Sequence, residues 1–439
     1  VTSILAFVFV LGVLVFVHEL GHFLAARRIG VRVLTFSLGF GPKLLSFKRG
    51  DTEYCISAIP LGGYVKMAGE NPDDARTGAP DEFLSKTKWQ RFQVLIMGPV
   101  MNLALAWIVM ALVLYQGAPM AAFEKMPVVV GTVEEGSVAA HAGIIPGDRV
   151  ISVDGQDIGT WEQAALAIIP KANRQITLVI VRDGKPVTVR LTPTAVGKFE
   201  AGDIGIGPVY RPQITSVNSG EPAAQVGLRE GDTIVTVNGK SGPTRDSVIE
   251  AIRGSGGKPM TFEIERAGQT MTISITPRPF EDTFRIGAVI SPMELRKVEP
   301  GIIEAFKMSA VQNWEWTKLI FQTLGGLLTR ETSVKQLMGP VAIADLSGDA
   351  AEAGMLQLFG LMAMISLNLG LLNLMPIPVL DGGHITILAI EGLSRRDFSI
   401  KVKEKMLLAG FVLLVMLMVT VIYNDLRRVE WFGSLMLWQ

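Results

Sequence analysis

The sequence predicts a polytopic α-helical membrane protein. It has four transmembrane helices, two inserted mainly-β domains between the second and third, and a β-rich membrane-associated loop between the first and second. Three observations predict this. The chain has 439 residues, a mean hydropathy of +0.38 and 49% apolar residues, too apolar for an ordinary soluble enzyme and too charged for a compact membrane bundle. Four stretches, Ile4–Ala26, Phe92–Tyr115, Met355–Leu380 and Met406–Tyr423, approach the ~20 apolar residues that a bilayer core requires. A far-side segment also returns on itself: Gly143 and Gly227, Asp148 and Asp232, and Gly155 and Gly239 each stand 84 positions apart.

The first span, residues 1–28, is followed rather than preceded by positive charge (Arg27, Arg28, Arg32), which is the wrong order for a secretory signal peptide. The loop 29–91 carries many Lys and Arg residues, and so does the short segment Arg395–Lys405. Positive residues mark the cytoplasmic side. Spans 92–117, 355–384 and 405–424 then place both termini and the large insert on the far side, although Arg427 and Arg428 count against this. Lys+Arg and Asp+Glu balance at 41 each, so no nucleic-acid partner is expected. Cys55 is the only cysteine, which excludes an intrachain disulfide.

Each repeat reads as mainly β. Val128–Val133 and Ile214–Val217 suit strands. Val150-Ile-Ser-Val-Asp-Gly155 and Ile234-Val-Thr-Val-Asn-Gly239 alternate and then turn. Trp161–Ile168 and Thr244–Ile252 read as short helices. Both copies resemble the PDZ domain. Their Ile204-Gly-Ile206 and Ile286-Gly-Ala288 loops come after the core, as in circularly permuted bacterial forms, so the domains are placed at 126–209 and 210–293. Residues 301–330 suit one or two amphipathic helices, lying on the membrane surface or packed against the second domain. The acidic stretch Glu70–Glu82 points to nothing specific.

Between Ile4 and Ala26 only His18, Glu19 and His22 are ionisable. A charged group at the bilayer centre costs on the order of 2.5–3.5 kcal/mol on insertion scales, so its presence there points to function. His18 and His22, four apart, share a helix face. His-Glu-x-x-His on a helix is a zinc-site pattern in which the histidines bind and the glutamate acts as base. A catalytic zinc needs a third protein ligand. Asp381 closes a long uncharged stretch at the cytoplasmic end of its span, at the depth of the histidines. His384 competes with it, and the residues alone leave that choice open.

His18-Glu-Leu-Gly-His22 together with Asn373-Leu-Met-Pro-Ile-Pro-Val-Leu-Asp-Gly382 resembles the site-2 protease family of intramembrane zinc metalloproteases. Within it, the layout resembles the bacterial members that govern sigma-E envelope-stress signalling, down to Phe36-Ser-Leu-Gly-Phe-Gly41, Ile59-Pro-Leu-Gly-Gly-Tyr-Val-Lys-Met67 and Gly98-Pro-Val-Met-Asn102. The resemblance implies Asp381 as third zinc ligand beside His18 and His22, with Glu19 as general base. It implies a bacterial inner-membrane location, periplasmic PDZ domains and an active site reached from the cytoplasm. The substrate would be the transmembrane helix of a single-pass protein already shortened by another protease: an anti-sigma factor, or a signal-peptide remnant. Asn368 and Asn373 match positions near the substrate backbone. Gly63, Tyr64 and Val65, in the stretch Ile56–Met67, would add an edge strand to the unwound substrate. The PDZ domains would bind peptide C-termini or act as a size filter. Two other readings are a membrane-anchored peptide-binding scaffold without protease activity, and a metal transporter. A transporter would need ionisable residues through several spans, and spans two to four offer almost none before Asp381.

Overall fold

The computed structural model describes residues 2–70, 78–117, 119–197, 200–280, 283–297, 300–329, 332 and 337–428. Residues 71–77 of the acidic stretch, 198–199 of the first repeat and residue 330 lie outside them. The chain divides into two compact units. One holds Val1–Gly117, Glu299–Gly325 and Leu337–Gln439, and the other holds Ala118–Val298 with Gly326–Gln336.

Seven longer helices are α1 (Thr2–Arg28), α2 (Lys88–Tyr115), α3 (Ile302–Leu328), α4 (Pro340–Ala353), α5 (Met355–Asn373), α6 (Asp381–Ser394) and α7 (Ile400–Arg428). Among the described residues α1, α2, α5 and α7 are long and apolar enough to cross a membrane. Ala6, Val10 and Leu14 of α1 pack with Leu358 and Met362 of α5. The start of α2 is fixed locally: Thr87 accepts from the Gln90 N–H and Gln90 Oε1 accepts from the Thr87 N–H, a capping box written as T-x-x-Q.

The third span differs from the 355–384 expected. Its helix ends at Asn373, Leu374–Leu380 is non-helical, and Asp381 begins a new helix. Pro376 and Pro378 explain the break: each lacks an N–H, and each disfavours helical backbone in the residue before it. The short helix α4 was not expected from the sequence. Its orphan N–H groups are capped from another helix, because Gly339, Val341 and Ala342 all donate to the Asp425 carboxylate of α7 at 3.1 Å.

Between α1 and α2 lie two long, bent strands, β1 (Val33–Arg49) and β2 (Thr52–Met67). They fold into a sheet of four segments. Phe36 pairs with both Val65 and Tyr54, and Leu38 with both Gly63 and Ile56, while Arg49 pairs with Thr52. Residues 33–38 are therefore central, and Gly63–Met67 forms one edge. Gly39, at φ 88°, makes the bend: a Cβ there would sit 2.7 Å from the Ile59 carbonyl oxygen. The inner face packs Phe36, Val65 and Met67 with Phe23 and Ala26 of α1 and Val94 of α2. Leu44, Leu45 and Phe47 on the outer segment are exposed.

In the second unit each repeat builds its own core. The first sheet runs 156–157, 149–153, 176–182, 185–191, and the helix Trp161–Ile168 packs against it. The second runs 269–275, 260–266, 233–237, 213–217, 288–291, with the helix Arg245–Arg253 capped by Thr244. The turns Asp154-Gly155 and Asn238-Gly239 have φ of 50° and 80°, and 50° and 77°, the left-handed pair that a tight hairpin turn requires. Arg182 grips the buried Asp148 through two bonds of 2.7 Å, and Arg266 grips Asp232 through two of 2.6 Å. The Arg182 guanidinium holds the Asp148 carboxyl below the usual carboxylate range. The 84-residue repeat thus extends to a matched buried ion pair.

Candidate metal centre

The helical spacing of His18 and His22 brings their Nε2 atoms to 3.2 Å. Asp381, the first residue of α6, completes the cluster. Its Oδ2 lies 3.1 Å from His18 Nε2 and its Oδ1 lies 3.5 Å from His22 Nε2. Among the described residues these three form the group of donors close enough to share an ion. His384, one turn further along α6, is not part of it.

The donors fit zinc. Ligands ~2.0–2.1 Å from a tetrahedral metal stand roughly 3.3 Å apart, and the three separations here are 3.1, 3.2 and 3.5 Å. The outer faces of the rings fit as well. His22 Nδ1 donates to the Val94 carbonyl at 2.8 Å, which leaves Nε2 free as the ligand atom. His18 Nδ1 faces the side-chain nitrogen of Asn102 at 3.2 Å, while the buried Asn102 Oδ1 has no hydrogen-bond partner among the described residues. Turning the Asn102 amide over lets Oδ1 accept from the Nδ1–H of His18, again leaving Nε2 for a metal.

Both orienting groups sit on α2, together with the residue that makes room. A Cβ on Gly98 would lie 2.3 Å from His22 Nε2 and 2.8 Å from His18 Nε2. A glycine is therefore needed beside the donors. Gly382 and Gly383 do the same for α6: a Cβ on either would fall 2.2–2.3 Å from the backbone of Leu374–Ile377. The Asp-Gly-Gly sequence lets the first turn of α6 lie against the chain that leads into it. Val379 in that chain has φ 94°, a strained value for a β-branched residue, two positions before Asp381.

Glu19 stands beside the donor cluster, near enough to His22, His18 and Asp381 to interact with the charge of each, and borders the edge of the sheet. The Val65 backbone lies beside its carboxylate, and a Cβ on Gly63 would come within 3.1 Å of its Cγ. The structure thus brings Gly63 and Val65 to Glu19, with Tyr64 between them. Asn368 lies within α5 and Asn373 is its last residue. Reasoning from the sequence did not single out Gly98, Val94 or Asn102 as site residues. Asn102 carried a signal, being an amide in an uncharged span. Val94 acts through its carbonyl and carried none.

A histidine pair, a carboxylate from a second helix and a glutamate beside the pair make up the hydrolytic set of a zinc peptidase. The family comparison reaches the same place. The model for Peptidase family M50 matches residues 6–417. A Neisseria meningitidis protein named, by inference, a zinc metalloprotease is 35% identical over 97% of this chain and 99% of its own. The regulator of sigma-E protease RseP of Salmonella typhimurium is 35% identical over 97% of this chain and 98% of its own, and that of Escherichia coli is 34% identical over 96% and 98%. Matched over nearly its whole length, the chain belongs to peptidase family M50, the site-2 proteases, and is a zinc metalloprotease.

Proposed function

We propose that this chain is an intramembrane endopeptidase. It hydrolyses a peptide bond within the transmembrane segment of a single-pass protein that another protease has already trimmed. The observation that carries this reading is the placement of the donor cluster on α1, a helix otherwise apolar enough to cross a bilayer. By analogy with its sigma-E relatives, the chain acts in the bacterial inner membrane on an anti-sigma factor and on signal-peptide remnants. The positive loops support an opening of the site on the cytoplasmic side and repeats in the periplasm.

His18, His22 and Asp381 would hold the zinc. Bound there, zinc acidifies water and polarises a carbonyl oxygen. Val94 and Asn102 fix the two imidazoles from behind. Glu19 takes a proton from the attacking water and returns it to the leaving amine. Its carboxylate lies beside the Val65 backbone, at the sheet edge where an unwound substrate would lie.

A substrate helix hides its peptide bonds until it unwinds. The edge Gly63–Met67 pairs on one side with residues 33–38. On the other side the Val65 backbone faces Glu19. Because strand groups alternate, Gly63 and Val65 face outward while Tyr64 and Lys66 face the sheet. An extended substrate can add there through its backbone, with Asn368 and Asn373 of α5 contributing amides. The repeats, as permuted PDZ domains, restrict this site to substrates without bulky far-side domains.

The test is a cleavage assay on a trimmed single-pass substrate in proteoliposomes. The wild type is expected to cut it and to stop when zinc is chelated. Val65→Pro, which removes the outward N–H, is expected to lower the rate at least tenfold with zinc retained, and Val65→Ala to keep most of it. Equal damage from both would show that backbone pairing does not hold substrate. A wild type that binds a peptide C-terminus but cuts nothing would favour the scaffold.

A further inference from the structure

We propose that Lys88, Glu391 and Lys403 are positioning residues for the metal centre, an inference that rests on the metal reading above. They clasp the helix that begins with Asp381 to the helix that orients the two histidines.

Glu391 lies in the last turn of α6 and is 1% exposed. A buried carboxylate is tolerated only when paired and hydrogen-bonded. Its Oε1 accepts from Lys403 Nζ of α7 at 2.7 Å and from the Phe398 N–H at 2.8 Å. The turn after α6 makes this possible, because Arg395 takes a left-handed conformation (φ 53°) and sends the chain back under the helix.

Lys88 adds the link to α2. It is the first residue of that helix, and its Nζ donates to the Glu391 carbonyl at 2.8 Å. That carbonyl is one of the last four of α6, which have no partner within their own helix, and a cation is favoured at that end. Lys88 also pairs with Asp397 at 2.7 Å, but Asp397 is 67% exposed, so this pair adds little. The bond to the helix end and the buried pair behind it are the parts that matter.

The consequence is geometric. α2 carries Val94, Gly98 and Asn102, which set the positions of His18 and His22. α6 carries Asp381 at its other end, ten residues from Glu391 and so about 15 Å along one helix. Zinc sites tolerate only about 0.2 Å in ligand distance. A helix end released from α2 swings Asp381 out of register with the imidazoles, although no residue of the clasp touches the metal.

The experiment measures zinc affinity of the full chain in detergent by competition with a chromophoric chelator, beside thermal unfolding of the metal-free protein. Lys88→Met is expected to weaken zinc binding about 10- to 100-fold, the range typical of supporting residues. Metal-free stability should not change, and Lys88→Arg should restore most of the affinity. Glu391→Gln, which keeps the shape and weakens the pair, should shift affinity in the same direction. Wild-type affinity in Lys88→Met would overturn the proposal, and so would a loss matched by an equal loss of metal-free stability or one that Lys88→Arg fails to repair. Asp381→Ala is measured in parallel. If it binds zinc as tightly as the wild type, the metal assignment itself fails, and the clasp with it.

Discussion

Glu19→Gln is expected to lower the cleavage rate by about 10²–10⁴-fold, the usual contribution of a general base, and to leave zinc bound. The separation of the two effects follows from the geometry. Glu19 lies one residue past His18, about 100° around the helix. Its carboxylate lies beside the Val65 backbone at the sheet edge and is not one of the three converging donors. Gln keeps the length and one oxygen but cannot take a proton. Cleavage and metal content measured on one preparation decide the matter. Loss of zinc in Glu19→Gln would make the residue a ligand, and full activity would remove it from the mechanism.

Gly98→Ala is expected to abolish both metal retention and cleavage. This is the smallest change to the site and among the most damaging. The new methyl would stand 2.3 Å from one ligand nitrogen and 2.8 Å from the other. Both rings, or α2 itself, would have to move. Overpacking elsewhere costs roughly 1–3 kcal/mol in stability, but here the displaced atoms are the donors. Gly12→Ala is the control. It lies on α1, where a Cβ meets nothing within 4 Å among the described residues, so metal and activity should stay as in the wild type. Full metal binding by Gly98→Ala would mean that α1 and α2 do not approach as described.

The unequal legibility of this site has a physical basis. His18, Glu19 and His22 stood out because lipid makes each polar group costly, so an apolar run isolates the exceptions. The helical period then gave their shared face without tertiary information. The third donor could not be settled that way. Asp381 and His384 are one turn apart, and only the start of α6 at Asp381, forced by Pro376 and Pro378, turns the first toward the histidines. Read from hydropathy, the Leu374–Leu380 stretch was part of the span, because its residues are as apolar as the helix before it. The repeat was legible from its fixed offset, and the tight turns from Asp-Gly and Asn-Gly. The four-segment sheet of β1 and β2 was not, since its double pairing depends on a bend at Gly39 that no alternation records. Support from behind the ligands was the least visible. A backbone carbonyl such as that of Val94 has no residue signature, and Glu391 and Lys88 meet across 303 positions.

The central claim is that two histidines of α1 and the first residue of α6 hold one zinc ion in this protein. Metal analysis of the purified full-length chain tests it most directly, with His22→Ala, Asp381→Ala and His384→Ala prepared in the same way. The account predicts one zinc per chain in the wild type and in His384→Ala, and loss of the metal in His22→Ala and Asp381→Ala. Zinc retained by Asp381→Ala, or lost from His384→Ala, would contradict it.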